Sequence, residues 1–261
     1  MFWKLVKYEL QSVRKWCLGI YGVAILLSIP LGLMLQKFIF ATEHSHEQPN
    51  QLFIAFFALV SFATIIVWGA TYISTIFLIV RRFAKNIFGR EGYLTNTLPV
   101  SAHQLILSKL LVAFILDIIS CLVILLSVGI IATFCLDMED ILLATSHFGQ
   151  FLKETGALYI FIPSTILSTI AGILVYYFCV SIGSLFDTNK VLMGFVAYFT
   201  IQAFLFFIGF FFGLAATLTG DATNTAISAS SYTLSLVQSL ILIAGSYFGT
   251  YRILTKRLDL N

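Results

Sequence analysis

The residues of this sequence that could do chemistry are few and scattered. His44 and His46 lie in an HSHE stretch without further metal ligands, so a solvated loop explains them better than a metal site. No two histidines or acids share an apolar run at helical spacing, which argues against an intramembrane catalytic pair. Without CxxC spacing, the four cysteines are interpreted as packing thiols: Cys17, Cys121, Cys135 and Cys179. We expect no catalytic residue, no metal site and no enzymatic activity of this chain.

Asp117 is the only acidic residue well inside an apolar run. It follows Lys109 by eight residues, about 12 Å along the same face of a helix. Acids inside a membrane are costly and often functional, so one interpretation is an ion pair or polar contact that moves during transport. A carboxylate at the membrane interface, reached by water or by cations near Lys109, fits equally well.

The elements that carry these residues are membrane helices. Of 261 residues, 59% are hydrophobic and 10% are charged, and the mean hydropathy is +0.98. A helix needs about twenty residues to cross a hydrocarbon core of about 30 Å. Six runs are long enough: 16–40, 52–80, 104–134, 158–185, 191–218 and 232–251. We therefore predict an all-α polytopic membrane protein with six transmembrane helices, in which residues 1–261 form a single domain.

The distribution of Lys and Arg predicts the orientation of these helices. An N-terminus on the inner side leaves only Lys37 and Lys153, of 15 basic residues, on the outside. The positive-inside rule therefore predicts that both termini are cytoplasmic. Residues 1–15 carry apolar side chains near one helical face, which predicts an interfacial helix along the inner surface. A basic tail that only sets topology is the alternative. Nothing indicates binding to nucleic acid.

Residues 81–109 form a polar island between the second and third runs. Its cations outnumber its one acid, Glu91, and comprise Arg81, Arg82, Lys85, Arg90 and Lys109. After Pro99, the sequence Ser-Ala-His-Gln at 101–104 fits a capping box, which predicts a helix from Ser101 to Phe134, about 50 Å long. We expect a short helix parallel to the membrane over 86–97. A loop that only sets topology is again the alternative.

Residues 91–111 have the sequence EGYLTNTLPVSAHQLILSKLL and follow basic residues and the second apolar run. This pattern resembles the permease subunits of type-2 ABC exporters of Gram-positive bacteria. The resemblance extends to the interfacial helix, six spans and short loops. It implies a cytoplasmic coupling region at 81–103 whose coupling helix binds a cytosolic ABC ATPase subunit. The docking residues so implied are Lys85, Asn86, Ile87, Phe88, Arg90, Glu91, Tyr93, Leu94 and Leu98. Because the chain has no GxxxxGK[ST] phosphate loop, ATP and Mg²⁺ would bind the partner ATPase.

The fifth run is rich in phenylalanine, which fits helix packing as well as an apolar transport path. The resemblance places this run near the permease dimer interface and the path. The candidate path residues are Asp117, Phe199, Gln202, Phe206, Gly209 and Gly213. Residues 219–231 are expected to form an outer loop or a re-entrant segment.

The expected function is that of a permease subunit in the plasma membrane of a bacterium. With a second permease subunit, identical or not, it would export an amphipathic or hydrophobic substrate, such as an antimicrobial peptide or a lipid-like molecule. The alternative is a secondary transporter, or another polytopic membrane protein, that uses Asp117.

Overall fold

The computed structural model describes residues 2–44, 51–88, 102–136, 142–143, 145–147, 149–150, 157–186, 189–218 and 224–258. Its six long helices are α1 (Phe2–His44), α2 (Gln51–Phe83), α3 (Ala102–Cys135), α4 (Ala157–Ser184), α5 (Lys190–Leu218) and α6 (Asn224–Leu258). A π-helical turn, Ala84–Phe88, continues α2. These ranges contain no strand, and the all-α prediction is confirmed for them.

Each long helix contains a stretch that is long and apolar enough to cross a membrane. Within the described ranges these stretches are Val13–Ile39, Gln51–Phe88, His103–Cys135, Ile162–Ser184, Lys190–Phe212 and Thr233–Thr255. They overlap the six predicted runs one by one, so the six-span prediction is confirmed. The chain has the architecture of a multi-pass helical membrane protein.

The helix boundaries agree with several local predictions. α3 begins at Ala102, directly after the expected cap Ser101, and its 34 residues extend about 50 Å, well beyond a hydrocarbon core. The Ser101 side chain lies outside the described residues. α1 is continuous over 43 residues, so residues 2–15 form the first turns of the helix that contains the first span. Their position along the membrane surface stays a prediction.

Two other segments fall partly outside the described residues. Of the expected coupling region, the structure describes 81–88 and 102–103, while 89–101 lie outside. Of the segment 219–231, residues 224–231 are the first turns of α6, and 219–223 lie outside. A re-entrant path for that segment therefore stays a prediction.

The chain forms two compact units. Unit 1 comprises Met1–Ile79 and Ile115–Gln150, and so contains α1, most of α2 and the second part of α3. In it, α1 and α3 run parallel, because Tyr21 contacts Ser120 and, further along both helices, Gly32 faces the ring of Phe134. α2 runs antiparallel to α1, from a stacked pair between Phe38 and Phe57 to the bond between Trp16 and Ser74.

Unit 2 comprises Val80–Phe114 and Phe151–Asn261, and α4 is its central helix. α4 packs against α5, α6 and the π-helical turn. Its approach to α5 is close at Gly183, where an added Cβ would collide with the backbone carbonyl oxygen of Lys190 and lie 3.0 Å from the backbone nitrogen of Gly194. Gly249 of α6 similarly lies against the ring of Phe178. Absent side chains thus allow both contacts.

Candidate functional site

The two ends of the island meet at one side chain of α4, Tyr177. Phe83, the last residue of α2, is 1% exposed, and its ring stacks on that of Tyr177 with centroids 3.9 Å apart and planes 8° apart. The Tyr177 hydroxyl donates a hydrogen bond of 3.0 Å to the backbone carbonyl of Lys109 in α3. We call Phe83, Tyr177 and Lys109 the tyrosine junction. A single residue of α4 therefore contacts the helix that enters the island and the helix that leaves it.

The π-helical turn extends the first half of this junction. Phe83 and Phe88 are five residues apart, a spacing that brings side chains to one face where the backbone repeats from i to i+5. Their rings accordingly meet edge to face, with centroids 6.1 Å apart and planes 68° apart. Ile87 is 5% exposed, and α4 packs on this turn. The turn is thus part of the buried packing of unit 2.

A second aromatic cluster attaches the start of α3 to α6. The ring of His103 stacks on Tyr251 at 4.3 Å and 14°, and more loosely on Tyr247 at 5.9 Å. A hydrogen bond joins His103 Nδ1 to the Tyr247 hydroxyl. We call these residues the histidine stack. The first turns of α3 are therefore bound to α6 through His103 and to α4 through Lys109.

The expected docking residues are only partly described. Lys85 is exposed, Asn86 and Phe88 are half-buried, and Ile87 is buried within unit 2. Since the Ile87 side chain packs inside the protein, it contributes to the chain's own core. The other docking candidates lie outside the described residues: Arg90, Glu91, Tyr93, Leu94 and Leu98. Their role stays a prediction.

The candidate path residues on α5 share one face. Phe199, Gln202, Phe206, Gly209 and Gly213 follow each other at intervals of three and four residues, which is the spacing of a helical stripe. The two phenylalanines are 67% and 69% exposed, and no residue of the α5 span in the described chain is buried. In this single chain the stripe is therefore open apolar surface.

An open groove with a volume of about 620 Å³ lies at the start of α5. Its lining residues are Asn189, Lys190, Val191, Leu192 and Phe195. None of them belongs to the α5 stripe, so this groove is separate from the path that the sequence suggests.

Ser120, three residues after Asp117 in α3, belongs to a buried cluster of hydroxyl groups in unit 1. Tyr21 of α1 and Thr75 of α2 each lie 2.7 Å from the Ser120 Oγ of α3, and Tyr21 lies 3.5 Å from Thr75. We call these three residues the hydroxyl cluster. Their exposed fractions are 8% or less, so the bonds connect the three helices without water competition.

The register set by this cluster locates Asp117 along the helices of unit 1. Asp117 precedes Ser120 by three residues, about 4.5 Å, and Lys15 precedes Tyr21 by six, about 9 Å. Since α1 and α3 run parallel, Asp117 lies within about 5 Å of the level of Lys15. This position near the level of a basic residue, with a half-buried side chain, fits a carboxylate near the membrane interface, and the role of Asp117 stays a prediction.

No protein-family model, curated protein or solved structure matches this chain. Among the residues that the structure describes, no three His, Cys, Asp or Glu side chains lie together where they could hold a metal ion. The function is therefore argued from the junctions themselves.

Sequence reasoning missed both the tyrosine junction and the hydroxyl cluster. A signal for the second was present, because Thr64, Trp68, Thr71 and Thr75 recur at intervals of four, three and four residues on one face of α2. The structure places this face inward, where Trp68 Nε1 donates to the Ser127 hydroxyl at 2.9 Å. Tyr177 carried no such signal.

Proposed function

We propose that this chain is the permease subunit of an ATP-driven exporter of the type-2 ABC class. Six helices that can cross a membrane support the permease role. Since the chain contains no phosphate loop, a separate ATPase would bind ATP and Mg²⁺ and supply the energy. With both termini in the cytoplasm of a bacterium, the orientation that the basic residues favour, the island faces the compartment that holds ATP.

The observation that carries this proposal is the attachment of both island ends to the spans of unit 2. The tyrosine junction and the buried Ile87 fix the island's entry to α4, and the histidine stack fixes its exit to α6. A partner that moves the island would therefore move α4 and α6, since packed helices shift as rigid rods. A loop that only sets topology has no need of such contacts.

The composition of the island suits a protein partner. Lys85 is exposed on the π-helical turn, and the segment that follows combines Arg90 and Glu91 with apolar Leu94 and Leu98. Apolar side chains rimmed by charges are typical of protein interfaces. These residues are the docking surface that we propose for the ATPase.

The α5 stripe is compatible with the proposed substrate class and with a second subunit. Its exposed aromatic surface would be covered by lipid, by a second permease subunit or by an apolar substrate. An amphipathic peptide or a lipid-like molecule matches such a surface better than a charged solute does. We propose that two permease subunits pair to complete the path, with the stripe beside it.

The experiment that tests this function is co-purification of the chain with its ATPase in mild detergent. Leu94→Asp combined with Leu98→Asp should abolish co-purification and leave membrane insertion intact. The matched control is Leu142→Asp with Leu143→Asp, which adds two charges at exposed positions in the loop expected on the other face of the membrane. A chain that purifies alone and transports without ATP would refute the proposal, and equal loss in both double variants would refute the docking surface.

A further inference from the structure

The two ends of the island are far apart in sequence but share one contact residue. Phe83 and Lys109 are 26 residues apart, and both touch Tyr177, which is 2% exposed in α4. Tyr177 contacts the first end through its ring and the second through its hydroxyl. The two contacts use different parts of one side chain, so substitutions can remove them separately.

The hydrogen bond from the Tyr177 hydroxyl reaches a carbonyl that already takes part in the hydrogen bonding of α3. The Lys109 carbonyl lies in the interior of α3, where it also accepts the intrahelical bond typical of such a carbonyl. The bond from Tyr177 is therefore not needed to form α3, and it serves to fix α3 against α4. The ring stack fixes α2 against α4 in the same way, since two buried aromatic rings share a large contact area.

We propose that Tyr177 is a positioning residue that holds both ends of the island in register with α4 and transmits movement of the island to that helix. The transmission rests on the proposed function, because a partner ATPase would be the source of the movement. The anchoring does not rest on it, because Tyr177 contacts both Phe83 and Lys109 within unit 2 of the isolated chain.

The anchoring is tested by hydrogen–deuterium exchange of the full chain in lipid nanodiscs without partner or nucleotide. Tyr177→Phe keeps the ring and loses the hydroxyl, so exchange should rise in residues 102–109 and stay unchanged in 84–88. The rise should be about 3-fold, and about 20-fold at most, as interhelical hydrogen bonds in membrane proteins allow. Tyr177→Leu should raise exchange in both segments.

The matched control is Tyr198→Phe, which removes a hydroxyl from α5, where the ring lies 5.5 Å from that of Tyr176 of α4. It should change neither segment. If Tyr177→Leu loosens one segment only, or if Tyr177→Phe leaves 102–109 unchanged, Tyr177 is not the shared anchor. Tyr177→Phe retains the buried ring, so this arm stays decisive even where Tyr177→Leu fails to fold.

The transmission is tested with spin labels at Arg81→Cys and Leu185→Cys, two exposed positions in the last turn of α2 and just after α4, in a chain whose native cysteines are replaced by alanine. In the complex with its ATPase, the distribution of distances between the two labels is measured before and after Mg-ATP is added. Mg-ATP should leave this distribution unchanged in the wild-type background and broaden it in Tyr177→Leu. A changed distance distribution in the wild-type background would overturn the proposal that Tyr177 transmits movement of the island to α4. If no ATPase co-purifies, the proposed function fails, while the exchange experiment still decides the anchor.

Discussion

Ser120→Ala is expected to destabilise the protein more than Tyr21→Phe, although each variant removes one hydroxyl from the hydroxyl cluster. The reason is a count of protons. The cluster has three hydroxyl protons to donate. They serve the hydroxyl contacts within the cluster and also two backbone carbonyls, because Ser120 lies 2.9 Å from the Leu116 carbonyl and Thr75 lies 2.9 Å from the Thr71 carbonyl. With Tyr21 as the donor to Ser120, either Thr75 or Ser120 donates across their 2.7 Å contact. In both arrangements every proton is used.

The two variants leave different groups without a partner. Without the Tyr21 hydroxyl, Thr75 still donates to Ser120 and Ser120 to its own helix, so Tyr21→Phe should cost about 0.6 kcal/mol and at most about 1.7 kcal/mol. Without the Ser120 hydroxyl, the buried Tyr21 hydroxyl retains two weak partners, Thr75 at 3.5 Å, the outer limit of a hydrogen bond, and the Cys17 thiol. A buried hydroxyl with only weak partners raises the cost of Ser120→Ala to about 1–3 kcal/mol.

The double variant sharpens the test. Once Tyr21 is phenylalanine, Ser120→Ala leaves only Thr75 to satisfy, and Thr75 can donate to its own helix. The double variant should therefore cost about 1 kcal/mol less than the sum of the two single variants. Reversible unfolding in mixed micelles measures these free energies. Ser61→Ala is the control, because Ser61 bonds to Phe57 of its own helix, and should cost less than about 0.5 kcal/mol. Full additivity, or equal costs of the two single variants, would refute the proton count.

Two further predictions follow from the geometry of the other sites. Gly183→Ala should destabilise the protein by about 1–3 kcal/mol in the same unfolding assay, since its new methyl group meets the backbone of Lys190. Gly172→Ala, with open space around it, should be neutral or stabilising. Equal effects of the two variants would contradict the close contact between α4 and α5. Asp117→Asn should leave transport in proteoliposomes within about twofold of the wild type, because Asp117 lies near the level of Lys15 in unit 1, close to the cytoplasmic end that the basic residues predict. Complete loss of transport would favour the alternative, a secondary transporter with a coupling-ion site at Asp117.

The positions of the spans were predictable from the sequence because the length of an uninterrupted apolar run decides them. A run of about twenty apolar residues crosses the membrane wherever it occurs, and polar residues can only interrupt it. The start of α3 was predictable for a similarly local reason, since Ser101 and Gln104 supply the bonding groups that the first helical turn lacks. Both predictions depend on neighbours in sequence, and the structure bears out the resulting helix bounds.

The contacts between spans were harder to predict, because a membrane helix can be apolar on every side. In a soluble helix the apolar face identifies the core, but lipid is as apolar as a leucine side chain, so this contrast is lost. Only polar side chains then mark a contact face, as Thr71 and Thr75 do on α2, where they turn inward. Tyr177 has no such pattern around it, because its partners are a phenylalanine ring and a backbone carbonyl.

Because lipid and apolar side chains are equally apolar, the exposed α5 stripe indicates less about its partners than the polar island does. The stripe is apolar and exposed, and an exposed apolar face in a membrane suits lipid, a second subunit or a substrate equally well. The island is polar, and specific contacts attach its ends: Phe83 and Lys109 are buried against Tyr177, and the exposed His103 stacks on Tyr251. Mechanical coupling is therefore argued most directly from the island, and the path that it would open depends on the second subunit.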